Sequence, residues 1–112
     1  MQMVHEGAYD FSRFSELGHR YLFRKFTEID SGTVAGPATV VRWAIRYLVS
    51  GLLRSRLAGK IAWVTLFWLR YLDGLIPASY ASDAASCVYF FGAKSNTILE
   101  VNQVVKAYRG AQ

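Results

Sequence analysis

Only two short runs of this chain have the character of β-strands, and two strands do not make a stable sheet by themselves. The first, Phe26–Thr33, alternates imperfectly, with Glu28 and Asp30 expected on one side and Ile29 on the other. It runs out in the glycine-containing stretch Ser31–Pro37. The second, Cys87–Lys94, is short, β-branched and aromatic. The ordered remainder reads as helix. The sequence therefore predicts an α/β arrangement that is incomplete as a domain, because something to pair with the strands is missing.

The helices have recognisable starts. Ser15 is placed to cap a helix in which Leu17, Tyr21, Leu22 and Phe26 recur at helical spacing, with Arg24 and Lys25 in the last turn, where the helix dipole favours cations. Pro37 suits the first turn of a second helix. Over residues 38–57 the polar positions Arg42, Arg46, Ser50 and Arg54 fall at four-residue intervals, one narrow stripe on an otherwise apolar cylinder. Gly59 is expected to break that pattern. Residues 60–76 resume it with Trp63, Phe67 and Trp68, and Gly74 and Pro77 close it. Asn96 is expected to cap a last helix over 97–108, with Ile98, Val101, Val104, Val105 and Tyr108 on its buried side.

Composition narrows the function classes. At 112 residues the chain is at most one domain, and 53% hydrophobic against 19% charged residues is wrong for a disordered segment. One cysteine rules out an internal disulfide and, with two histidines, leaves little for a zinc site, so no metal is expected. The N-terminus has neither the cationic start nor the apolar run of a secretion signal. The expectation is a cytoplasmic protein with Cys87 as a buried, inert thiol. The longest strongly apolar uncharged run, Ile61–Leu69, has nine residues, whereas crossing a bilayer takes about 20. Such a chain can lie peripherally on the inner membrane surface but should not span it.

Two constellations carry candidate chemistry. His5 lies near Glu6, Asp10 and Arg13; a histidine with a carboxylate partner can serve as a general base, and the alternative is a local loop salt bridge beside an exposed histidine. The net charge of +5 is concentrated in the centre of the chain. There Arg42, Arg46 and Arg54, with Trp43, Trp63 and Trp68, suit either a membrane-surface device meeting anionic lipid or core aromatics beneath a solvated arginine edge. His19 is expected on a helix surface or half-buried. Gly32 and Gly36 lack the spacing of a phosphate-binding loop. No nucleic-acid-reading motif is present, and no nucleic-acid partner is expected.

The order of motifs resembles the post-catalytic segment of class I S-adenosylmethionine-dependent methyltransferases of the small, type 11-like group. The likeness rests on His5, on Asp10, Phe11, Arg13 and Phe14, on the helix at 15–25, and on the strand at Phe26–Asp30. It continues through residues 36–48 and 68–76, then 83–95, and ends at Tyr108–Gly110, similar to a subgroup with an inserted helical pair over 38–76. The resemblance implies a Rossmann-like sheet of seven strands, helices on both faces, of which this chain holds the last two strands: an active-site loop at 1–14, a helix and strand at 15–33, and the last strand and terminal helix at 87–112. It implies that His5 is the base or substrate orienter and that Tyr9, Asp10, Phe11 and Arg13 serve the acceptor. The glycine-rich turn and ribose-binding acid belong to a missing N-terminal half. S-adenosylmethionine is thus the cofactor of the intact enzyme, and no cofactor is expected on this chain alone. The partners expected are that half and an anionic or lipid-linked acceptor at a membrane surface.

Overall fold

The structure, a computed structural model, describes residues 7–9 and 11–112. A 3-10 turn at Gly7–Tyr9 precedes α1 (Glu16–Leu22), β1 (Phe26–Ala35), α2 (Pro37–Leu52) and α3 (Arg56–Thr65). A 3-10 helix over Phe67–Leu75, α4 (Ala78–Ala84), β2 (Cys87–Lys94) and α5 (Val101–Lys106) follow. The chain is thus a mixed α/β fold around one two-stranded antiparallel sheet.

Ser15 caps α1 as its sequence predicts, its Oγ accepting the Gly18 amide at 3.1 Å. The strands pair from Phe26 with Lys94 to Ala35 with Cys87. Bulges at Ile29 and Val34 interrupt the ladder, and each leaves its own apolar side chain exposed. The first bulge overturns the expectation that Glu28 and Asp30 share a side. Glu28 falls opposite Gly92 and Asp30 opposite Phe91, so the extra residue sends the two carboxylates to opposite faces.

The Glu28 face is covered. Phe23, just past α1, stacks on Phe90 of β2 at 5.2 Å between centroids, and His19 meets Phe23 edge-on at 4.8 Å. The Asp30 face is bare: Tyr89 and Phe91 are exposed there, and the Tyr89 hydroxyl donates to Asp30 Oδ2 at 2.9 Å. Tyr89 lies across Gly32, where a Cβ would come within 3.1 Å of its ring.

Between the strands, α2 packs along α3 and the 3-10 helix. The break between α2 and α3 falls at Leu53–Ser55, with Arg54 in the left-handed region (φ 49°), not at Gly59. Gly59 is buried inside α3, and a Cβ there would sit 2.7 Å from the Arg46 carbonyl oxygen. The glycine is thus a contact point for two backbones and not a breaker. Nor does one α-helix fill 60–76. The Thr65 hydroxyl bonds back to the Ile61 carbonyl at 3.0 Å, a contact that bends helices, and the chain tightens to 3-10 geometry after Leu66.

The last helix is shorter than expected. Ser95 forms a local turn with Thr97, and α5 starts only at Val101, after Glu100 as N-cap in a reciprocal capping box with Gln103. Of the residues expected on its buried side only Val104 is buried; Ile98, Val101, Val105 and Tyr108 are exposed.

Little of the chain is shielded from water. Among the described residues Ala81 and Val104 are the only buried apolar side chains. Total accessible surface is 8319 Å². A compact monomer of 12.6 kDa is expected to expose about 6,200 Å².

Candidate functional site

The segment between the N-terminal loop and α1 opens onto a cleft with a volume of about 480 Å³. This is within the range of small-molecule sites. Arg13 and Phe14 line it from the loop, Glu16 and Leu17 from the start of α1, Asp83 from the end of α4, Val88 from β2 and Tyr108 from the C-terminal tail. The two carboxylates in the lining are already engaged. The Ser82 hydroxyl donates to Glu16 Oε2 and the Tyr108 hydroxyl to Asp83 Oδ1, while Asp83 Oδ2 accepts the Ala111 amide at 2.8 Å. Donation to Asp83 raises the Tyr108 hydroxyl above its ordinary pKa, with burial and the carboxylate charge adding to it. Both carboxylates keep their charge while accepting these neutral hydroxyls, so Glu16 and Asp83 face the cleft together with Arg13. The rest of the lining is largely apolar, from Phe14, Leu17, Ala85 and Val88.

Of the residues proposed from sequence, Arg13 lines this cleft. Tyr9 and Phe11, at 78% and 85% exposure, precede it and bury nothing themselves. His5 and Asp10 lie outside the described residues. Glu16, Asp83 and Tyr108 are not among the site residues the sequence predicts, because nothing in spacing links positions so far apart. The only local signal was the terminal Tyr108–Gly110 motif.

The central cations and tryptophans do not act as one set. Arg42 does not stand on a solvated stripe: at 7% exposure it is buried, its Nε donates to the Trp63 carbonyl at 2.8 Å, and its guanidinium lies 3.8 Å over the Trp63 ring. Arg46 is half-buried, 5.9 Å from both the Trp43 and Tyr47 rings. Arg54 and Trp68 are exposed. The stripe thus faces inward, because Arg46 and Ser50 adjoin Gly59 in the α2–α3 seam.

A second cluster ties the C-terminus to the sheet. Glu28 Oε2 pairs with Arg20 Nε at 3.2 Å, and Glu28 Oε1 takes Arg109 Nη2 at 2.5 Å and the Ser31 hydroxyl at 2.8 Å. It borders a cavity of about 20 Å³, room for one water. Burial works to raise the Glu28 carboxyl, but the Ser31 and Arg109 hydrogen bonds and the charges of Arg109 and Arg20 outweigh it and hold it below its ordinary value. These groups are mutually satisfied, which is the signature of a structural clamp.

His19 is half-buried between Phe23 and Phe90 and adjoins the Glu28 cluster. Cys87 is exposed, contrary to the buried thiol expected, because it sits at the last rung of the ladder beside the Val34 bulge. Among the described residues no group of His, Cys, Asp and Glu side chains is placed to hold a metal ion. No helix among them is long and apolar enough to cross a membrane. Compared with family models, curated proteins and solved structures, the chain matched none.

Proposed function

We propose that this chain is the C-terminal, acceptor-side part of a class I S-adenosylmethionine-dependent methyltransferase. The observation that carries the proposal is the sheet. One face is covered by α1, while the other leaves Tyr89 and Phe91 in water, and among the described residues each strand has one edge without a strand partner. Such a sheet needs further strands and a second helical layer. A seven-stranded sheet with helices on both faces supplies both.

In this reading the cofactor is held by the N-terminal half and not by this chain. No glycine-rich turn borders the cleft among the described residues. The cleft is assigned in this reading to the other reactant. The loop ending at Arg13 and Phe14 leads directly into the 480 Å³ cleft. In this reading Tyr9 and Phe11 wall the acceptor, Asp10 and Arg13 hold the loop, and His5 orients the acceptor atom or removes its proton.

The test begins with the nucleotide sequence upstream of Met1. The expected finding is a reading frame, continuous or one frameshift away, that encodes alternating strands and helices with a glycine-rich turn. Joined to this chain, its product should bind S-adenosylhomocysteine. A stop codon and ribosome-binding site before Met1, with no such half nearby, would overturn the proposal. In the joined protein His5→Ala should lower turnover; unchanged turnover and acceptor affinity would remove the role given to His5.

A further inference from the structure

Turning the polar stripe of α2 inward leaves apolar residues on the outside of the helical pair, and the two outer faces differ in charge. On α2 the outward positions Val41, Leu48 and Leu52 share one face that holds no charged residue. On α3 the outward positions are Leu57, Ile61 and Val64, 68%, 59% and 60% exposed, and cations flank them. Arg56 and Lys60 are exposed on the same helix, Arg54 in the turn before it, and Arg70 on the 3-10 helix after it, beside exposed Phe67, Trp68 and Tyr71. No ion pair among the described residues balances them. From residue 31 to residue 82 the only acid is Asp73, and both its oxygens are bound by the N-terminus of α2.

We infer that the outer face of α3 docks on an anionic lipid surface. An apolar ridge one helix wide, flanked by cations alone and followed by exposed aromatics, matches both layers of such a surface. Leucine, isoleucine and valine enter the acyl boundary, the cations meet headgroup phosphates, and tryptophan and tyrosine sit at the level between. A protein surface covering this face would need carboxylates placed opposite four cations, whereas an anionic leaflet presents negative charge everywhere. The uncharged outer face of α2 lacks this complementarity. The inference is independent of the methyltransferase reading.

Vesicle flotation with the full chain tests it, because bound protein rises while aggregates sink. The probes are vesicles of phosphatidylcholine alone and of phosphatidylcholine with phosphatidylglycerol. The chain should float with the anionic vesicles, be released as salt is raised, and stay down with the neutral ones. Ile61→Glu, on an exposed helical position, should abolish flotation with an unchanged circular dichroism spectrum. Arg56→Ala with Lys60→Ala should weaken partitioning by about thirtyfold, roughly five- to sixfold for each cation. Phe91→Glu, on the bare face of the sheet, should float like the parent. Equal flotation with both kinds of vesicle, undiminished flotation of Ile61→Glu, or no flotation at all would overturn the inference; the last would leave a protein partner as the cover of α3.

Discussion

The Arg42 guanidinium lies 3.8 Å over the ring of Trp63 and donates from Nε to that residue's own carbonyl oxygen at 2.8 Å. One side chain thereby fastens α2 to α3 twice, once through a π face and once through the backbone. The arrangement explains how an arginine at 7% exposure is tolerated without a carboxylate partner. It also sets the orientation of the helical pair, since Arg42 belongs to the same stripe as Arg46 and Ser50.

Arg42→Ala should therefore destabilise the chain by about 2–3 kcal/mol, the sum expected of a charged hydrogen bond and a desolvated cation–π contact. Arg42→Lys should recover less than half of that. An ammonium has neither the Nε–H that reaches the Trp63 carbonyl nor a planar group to lie on the ring. Urea unfolding followed by circular dichroism measures both; equal stability of the lysine variant and the parent would show that charge alone matters here.

Two glycines in the helical pair should respond to alanine with opposite signs. At Gly59 a Cβ would be 2.7 Å from the Arg46 carbonyl oxygen, so α2 and α3 must separate, at a cost of about 1–3 kcal/mol. At Gly51, on exposed α2, nothing lies within 4 Å of the added carbon. There Gly51→Ala should stabilise by about 0.5–1 kcal/mol through helix propensity. Thermal midpoints of the two variants should straddle that of the parent.

This pair of residues also shows how far the sequence was legible. Helix and strand identities were readable wherever the signal is local: the Ser15 cap, Pro37 at the first turn of α2, the β-branched and aromatic run of β2. Gly59 was misread because a glycine looks the same whether it breaks a helix or admits a neighbouring backbone, and only the packing of α2 distinguishes the two. Arg42 was misread for the opposite reason. Arginine is so seldom buried that a stripe containing it reads as a wet face, although the small residues Ser50 and Gly59 mark the seam. The Ile29 bulge carried no sequence signature, and it alone separates Glu28 from Asp30. Of the cleft, the sequence offered Arg13 and not Glu16 or Asp83, which come together only through α4.

Asp73 should be worth about as much as a strong N-cap although it is remote in sequence. Its oxygens accept the Ala38 amide at 2.8 Å, the Thr39 amide at 3.2 Å and the Thr39 hydroxyl at 2.5 Å, while Gly36 in the N-cap position has no side chain to offer. Asp73→Ala should cost about 1–2 kcal/mol, and Asp73→Asn less, since it keeps one acceptor and loses the charge facing the helix dipole. The reciprocal substitution Gly36→Ala should also destabilise, because its Cβ would meet Asp73 Oδ1 at 2.7 Å. Denaturant midpoints that leave Asp73→Ala level with the parent would show that water replaces the carboxylate at no loss.

The Glu28 clamp makes a pH-dependent contribution with a definite sign. Its carboxyl is held below the ordinary value of 4.5 in the folded chain, so the folded state binds the proton less readily than the unfolded one. The stabilisation is therefore complete above about pH 4.5 and is lost as pH falls through the lowered folded value. Glu28→Gln removes this dependence, since a neutral amide still accepts from Ser31 but pairs weakly with Arg20 and Arg109. At pH 7 the parent should be the more stable of the two, and the gap should narrow steadily as pH is lowered through that window. Titrating the thermal midpoint of both proteins in parallel isolates the effect from the other carboxylates, which the two share. A gap that stays constant down to the acid end would mean that the hydrogen bonds of Ser31 and Arg109, rather than the charge on Glu28, hold the C-terminal tail to the sheet.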